Sequence, residues 1–181
     1  MIEAFIGLGS NLGDRLGNLG LAVDRLAREP GFSFRRVSLA YETEPIGPPQ
    51  PRYLNAVAQV GTMLSPRATL QKLHGIEEVL GRVRRERWGS REIDLDLLLF
   101  GDRTANETGL VIPHPLLHAR AFALVPLAEI APLALHPGAR QTAAELLAAL
   151  HPEDRAQVRP FRAIRRSLAE PDEDDDGTAS K

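Results

Sequence analysis

The distribution of apolar residues along the chain predicts an α+β domain, with helices packed on a sheet. Strand-length runs of alternating character occur at 2–8, 32–42, 53–63 and 93–100. Between them lie two stretches, 14–28 and 66–80, whose apolar residues recur every three or four positions. A third observation sets the scale: 181 residues at 43% hydrophobic content suffice for one ordinary domain with a real core.

In the first strand Ile2, Ala4, Ile6 and Leu8 share one face and Phe5 takes the other. The following GLGSNLG has leucine at position 12, where a G-x-G-x-x-G dinucleotide loop needs glycine, and no G-x-x-x-x-G-K-[ST] loop occurs. By spacing, Gly9-Ser10-Asn11 is a strand-to-helix turn. Leu12, Leu16, Leu19, Val23 and Leu26 then step by four and three. They predict a helix from Asp14, its cap, to Arg28, ended by Pro30-Gly31. Phe32 to Glu42 alternates through Val37, Leu39 and Tyr41 as one second strand.

The segment from Thr43 to Pro51 holds four prolines in nine residues, and it serves either as a stiff pocket wall or as a connector. In the third strand Leu54, Ala56, Ala58 and Val60 face helices, with Tyr53, Asn55, Val57 and Gln59 opposite. That second face suits a flat heterocycle, through an aromatic beside a carboxamide, or else simply solvent. Ser65-Pro66 opens the second helix and Gly81 closes it. Glu77, at the edge of its apolar stripe, can pair with an arginine or reach a ligand.

Gly81 to Phe100 is the chemically dense stretch. Five arginines (Arg82, Arg84, Arg85, Arg87 and Arg91) surround Trp88, the single tryptophan, and a strand from Ile93 to Phe100 is interrupted by Asp94 and Asp96. Positions two apart on a strand share a face, roughly 6.5 Å from each other. Two acids so placed can hold a divalent cation, or a pair about 3.5–4 Å apart. Guanidinium groups beside them suit a polyphosphate carried with magnesium. Further on, Gly101-Asp102 reads as a turn and Leu110 to Ile112 as a short strand. Pro113-His114-Pro115 holds a histidine that is either structural or poised to donate to a phosphate. Arg120 and Phe122 fall on a short helix, with more at Val125 to Ile130 and Thr142 to Leu150.

Beyond His151 the pattern fades, and six acids among the seven residues from Glu170 to Asp176 predict disorder over 168–181. The domain organisation expected is a body at 1–150, an extension at 151–167 and this acidic tail. The formal net charge is −2, and residues 1–150 carry sixteen basic and sixteen acidic side chains, which argues against a general nucleic-acid binder. No run of about 18 apolar residues exists to span a membrane. The start lacks a basic, apolar leader, and cysteine is absent, so cytoplasmic residence is expected.

These residues together resemble the 6-hydroxymethyl-7,8-dihydropterin pyrophosphokinases of folate biosynthesis, from Ile2 to Leu150. The most specific block is R-x-R-x(2)-R-W-G-x-R-x-[IL]-D-L-D, present from Arg82 to Asp96. Gly-Ser-Asn at 9–11, Tyr-Leu-Asn-Ala at 53–56, Pro-His-Pro at 113–115 and His-x-Arg-x-Phe at 118–122 support it. The resemblance implies a ferredoxin-like α/β sandwich, an antiparallel sheet with helices packed on it. It also implies transfer of a diphosphate from ATP to the pterin's hydroxymethyl oxygen, with release of AMP.

Residue by residue, the resemblance implies two magnesium ions on Asp94 and Asp96, with Arg82 and Arg91 as further catalytic groups on a closing loop. It implies a pterin site of Asn11, Thr43, Glu44, Ile46, Tyr53, Asn55, Trp88 and Phe122. Glu77, Arg84, Arg91, His114 and Arg120 fall at ATP-side positions. A monomer with no nucleic-acid or membrane partner is expected. The alternatives are another magnesium-ATP phosphotransferase of this fold, yielding ADP, and a ferredoxin-like module stacking nucleic acid on Trp88.

Overall fold

The computed structural model describes residues 1–45, 47–81 and 90–165. The expectations resting on Ile46, Arg82, Arg84, Trp88 and the tail at 168–181 lie outside these residues. One sheet carries the fold. β1 (Ile2–Ser10) pairs antiparallel with β4 (Tyr53–Thr62) on one side and β5 (Asp94–Phe100) on the other. The far side of β4 is shared by β2 (Phe32–Val37) and β3 (Ala40–Thr43), both antiparallel to it. α1 (Arg15–Arg28) connects β1 to β2, and α2 (Pro66–Val79) connects β4 to β5.

The caps are the ones the sequence predicts. Asp14 accepts from the N–H of Gly17 at the start of α1, and Ser65 accepts from Ala68 at the start of α2. Gly81, at φ +84°, follows α2 in the left-handed conformation that an L side chain resists.

The expected single strand over Phe32 to Glu42 is two. The Ser38 N–H still donates to Val57 O at 3.0 Å, but Val57 N–H donates to the Ser38 hydroxyl, also at 3.0 Å. A side chain thus takes the place of a ladder carbonyl, and pairing breaks there. The β1–β5 pair is irregular too: Phe5 opposes Leu99 and Ile6 opposes Leu97, so Leu98 is an extra residue on β5. Beyond β5, a hairpin joins β6 (Ala105–Glu107) to β7 (Leu110–Ile112).

The two faces of the sheet are covered unequally. Ala4, Ile6, Leu8, Leu54, Ala58, Val60, Leu95 and Leu97 pack against Leu19, Val23, Leu26, Leu73 and Ile76 of α1 and α2. On the opposite face Phe5, Val57, Leu98 and Leu99 meet α3 (Ala121–Ile130) and α4 (Ala143–Ala149). The segments of Phe122 and of Val125–Ile130, read separately from sequence, form the single helix α3. Thr142, at the end of the two-residue ribbon β8 (Leu135–His136) and β9 (Gln141–Thr142), opens α4 with a reciprocal cap to Glu145.

After α4 the chain makes a short helix, α5 (Pro152–Ala156), and then β10 (Arg159–Arg162), which pairs antiparallel with β3. The sheet order is therefore β10-β3-β4-β1-β5, with β2 alongside β4. No helix among the described residues is long and apolar enough to cross a membrane.

Candidate active site

Helices α3 and α4 leave one end of their face of the sheet uncovered, and a cavity of about 270 Å³ opens there. Its floor is bare backbone. Gly7 and Gly9 of β1 turn toward it, between β4 and β5. A Cβ added at Gly9 would lie 3.4 Å from Asn55 Oδ1 and 3.9 Å from the Asp94 Cβ, and one at Gly7 would lie 3.3 Å from Leu98. The absence of side chains on this part of β1 is what leaves room for a ligand between its neighbours.

One wall carries acids. Asp94 and Asp96, two apart on β5, both line the cavity and both are half-buried, while Leu95 between them is buried against the other core. Arg91, just before the strand, donates from Nη1 to Asp94 Oδ2 at 2.5 Å. His114 and Arg120 close this end. The histidine sits after a cis Ile112–Pro113 bond, its N–H bonded to Leu98 O at 2.9 Å. Burial, and then the neighbouring Arg120 charge, hold the His114 imidazole below its ordinary pKa, with Asp94 opposing them. His114 is thus a neutral donor–acceptor at pH 7, not a fixed cation.

The opposite wall combines amide, hydroxyl and aromatic groups. Asn55 Nδ2 donates to Thr43 Oγ1 at 2.7 Å, in a bond buried between β3 and β4. Tyr53 and Phe122 supply aromatic surface, Glu44 and Gln50 the rim. Burial raises the Tyr53 pKa, opposed by Arg91 and reinforced by Asp94, so its hydroxyl stays protonated. The Arg120 guanidinium lies 5.5 Å from the centre of the Phe122 ring, which links the two walls.

The donor set fits magnesium. Two half-buried carboxylates on one rigid strand are oxygen ligands of the number that magnesium takes from protein when phosphates and water complete its shell. Among the described residues no group of three or more acids or histidines forms a closed metal cage.

Of the residues predicted from sequence, the structure brings Thr43, Glu44, Tyr53, Asn55, Arg91, Asp94, Asp96, His114, Arg120 and Phe122 to this one cavity. Two others are directed elsewhere. Asn11 is 2% exposed: its Nδ2 donates to Gln50 Oε1 and Pro51 O, and its Oδ1 accepts the Arg91 N–H at 2.7 Å. Glu77 is 3% exposed and accepts the Leu95 N–H at 2.7 Å, holding β5 from beneath. Gln50 and the two glycines of the floor, with the apolar Leu8, Ala56, Leu98 and Ala123, are the lining residues that sequence reasoning missed. The position of Gln50 between Pro49 and Pro51 was the one signal available for it.

The family model described as 7,8-dihydro-6-hydroxymethylpterin-pyrophosphokinase (HPPK) matches residues 5–132. Three similar proteins are each named 2-amino-4-hydroxy-6-hydroxymethyldihydropteridine pyrophosphokinase. The one from Synechocystis sp. is 44% identical over 144 residues, covering 80% of this chain and 74% of its own. That from Methylorubrum extorquens is 44% identical over 153 residues, covering 84% and 96%. That from Pseudomonas aeruginosa is 41% identical over 165 residues, covering 91% and 96%. Among solved structures, an HPPK-DHPS in complex with substrates superposes with a TM-score of 0.67 at 15% identity, over 82% of this chain and 43% of that one. The wild-type HPPK-DHPS of Plasmodium falciparum does so with a TM-score of 0.64 at 15% identity, over 81% and 44%. The chain thus spans less than half the length of those two, and at such identity they speak for the fold.

Proposed function

The chain belongs to the 7,8-dihydro-6-hydroxymethylpterin-pyrophosphokinase family, and on that premise we propose how its cleft divides the work. The reaction moves a diphosphate from ATP to the hydroxymethyl oxygen of 6-hydroxymethyl-7,8-dihydropterin in folate biosynthesis and leaves AMP. The observation that carries the assignment is the shared cavity. One wall offers paired carboxylates with cationic neighbours, and the facing wall, a few residues away on β3, β4 and α3, offers aromatic and amide groups.

The pterin's ring lies against Tyr53 and Phe122, with the Thr43–Asn55 pair reading its polar edge. A buried amide and hydroxyl reject a ring that leaves them unpaired, which makes this pair the discriminating element. Trp88 and Ile46 belong to the same wall in this reading. The triphosphate lies along Asp94 and Asp96. Two magnesium ions, when bound there, supply charge neutralisation and a defined orientation for the phosphate oxygens.

Arg91 neutralises Asp94 in the structure described. A polyphosphate offers that guanidinium a second, bidentate acceptor in the same cleft. Arg120 and a neutral His114 donate to phosphate oxygens, and Arg82 and Arg84 add charge from the preceding segment. Asn11 acts by fixing the backbone of Arg91, and Glu77 by fixing β5. Little covalent chemistry is required of the protein. Alignment of the hydroxyl with the phosphorus, and charge placed where the AMP oxygen develops its own, account for the rate.

The reading takes residues 1–150 as the catalytic body, with 151–167 as an extension. It also takes a monomer in the cytoplasm. Incubation with ATP, magnesium and the pterin tests it by product analysis. AMP with a pterin diphosphate is expected; ADP, or oligonucleotide binding without turnover, overturns it.

A further inference from the structure

The extension after α4 touches the acceptor wall from behind. Val158 is 8% exposed and packs in a small cluster of its own with Tyr41 of β3 and Ala121 of α3, and Phe122, Val125 and Leu150 lean on it. Its buried members are distinct from those of the two large cores, and Phe122 and Leu150 join it to the second of them. It sits where α3 begins, and Phe122, which lines the cavity, packs directly against it.

From Val158 the chain runs directly into β10, whose Arg159 and Pro160 oppose Glu42 and Tyr41 of β3. The next residue of β3 is Thr43, which holds Asn55 in the cavity wall. The far end of α3 is tied to the same strand: the Glu129 carboxylate accepts the Leu39 N–H at 3.1 Å and the Tyr41 hydroxyl at 2.9 Å. α3 therefore rests on β3 through a polar tie at one end and an apolar wedge at the other, and the extension supplies part of the wedge.

We propose that Val158 is a positioning residue for the acceptor ring, and that residues 151–162 act as a brace setting the spacing between Phe122 and Thr43. The inference rests on the reading of that wall as the pterin site. Both sides of the wall lean on the brace, whereas Asp94, Asp96, Arg91 and His114 belong to elements beyond it. Arg120 precedes α3 and shares some of any displacement, but the triphosphate keeps its other anchors. A shift at Val158 therefore falls mainly on the acceptor.

The test uses the full chain with Val158→Ala, with Val158→Ile as the conservative control, at a temperature where circular dichroism shows both folded. A misplacement of 1 Å far from the chemistry can cost on the order of 10²-fold, and a partial collapse around one lost side chain should cost less. Val158→Ala is expected to raise the pterin KM roughly five- to tenfold and the ATP KM less than about twofold. Val158→Ile should stay near wild type. Pterin binding measured without ATP should weaken by the same factor. An equal rise in both KM values, or an unchanged pterin KM, overturns the brace while leaving the enzyme's assignment intact. A wild-type chain that forms no AMP removes both. Should Val158→Ala fail to fold, Val125→Ala, which removes a half-buried contact from the same cluster, is read by the same criteria.

Discussion

The two faces of the sheet differ in how completely they are covered, and the difference separates stability from chemistry. On the face of α1 and α2, β4 presents the hydrocarbon side chains of Leu54, Ala56, Ala58 and Val60, all at most 2% exposed. On the other face the same strand reads Tyr53, Asn55, Val57 and Gln59. There Val57 meets α3 and α4, while Tyr53 and Asn55 meet the cavity. One strand thus serves a finished core and an unfinished one. Polar groups collect where no helix arrives to exclude water.

If that division is right, damage to the open end of the second face should slow chemistry in a protein that still folds. Asp94→Ala or Asp96→Ala should reduce AMP formation in single turnover by on the order of 10³-fold, the scale of losing preorganised charge stabilisation. Near-wild-type turnover in either variant would remove the metal role. Leu73→Ala makes the reverse case, since Leu73 of α2 is fully buried against the sheet. It should cost about 2–5 kcal/mol of stability in urea titration. Its kcat should remain near normal well below the melting temperature, and a large loss of kcat in the folded variant would break the division.

Gly9→Val tests the floor, where the first added carbon already approaches Asn55 to 3.4 Å. Overpacking of about 1–3 kcal/mol should appear as weakened pterin binding, with a smaller change in melting temperature. Unchanged binding would place the ring elsewhere.

Tyr41→Phe is the smallest expected effect, about 1 kcal/mol from one lost hydrogen bond to Glu129. Its signature is the pH dependence. Burial, followed by the Glu129 hydrogen bond and charge, pushes the Tyr41 phenol from 10.0 up to about 12. The folded chain thus keeps a proton that the unfolded chain loses. The associated stability is complete below pH 10 and disappears as pH rises through about 12. Melting curves across that interval should be flatter for Tyr41→Phe than for wild type, and parallel curves would contradict the assignment.

Much of this was legible because it is local. Helix caps at Asp14 and Ser65, the apolar stripes above them, and the shared face of Asp94 and Asp96 follow from periods of 3.6 and 2 within single elements. What escaped depends on neighbours. Gly7 and Gly9 become a cavity floor only once β4 and β5 flank β1. The family resemblance set Asn11 beside the pterin and Glu77 on the ATP side, while the residues alone gave a turn for the first and left the second between a pairing and a ligand. Their burial instead turns both side chains to backbone N–H groups, of Arg91 and Leu95. The break at Ser38 came from a hydroxyl standing in for a carbonyl, which alternation does not register. β10 was invisible for a related reason: all four of its residues are exposed, so no apolar rhythm marks it.

That strand also decides what the sheet shows to other molecules. Left bare, β3 would present a row of unpaired N–H and C=O groups, a template on which a second chain could add. β10 occupies the row and replaces it with a four-residue edge in which Pro160 has no N–H to offer. The pairing skips at Phe161, and Arg159 and Arg162 repel a like-charged copy approaching side by side. The segment that packs Val158 against Tyr41 and Ala121 therefore also guards the molecule against growing into aggregates along its own sheet.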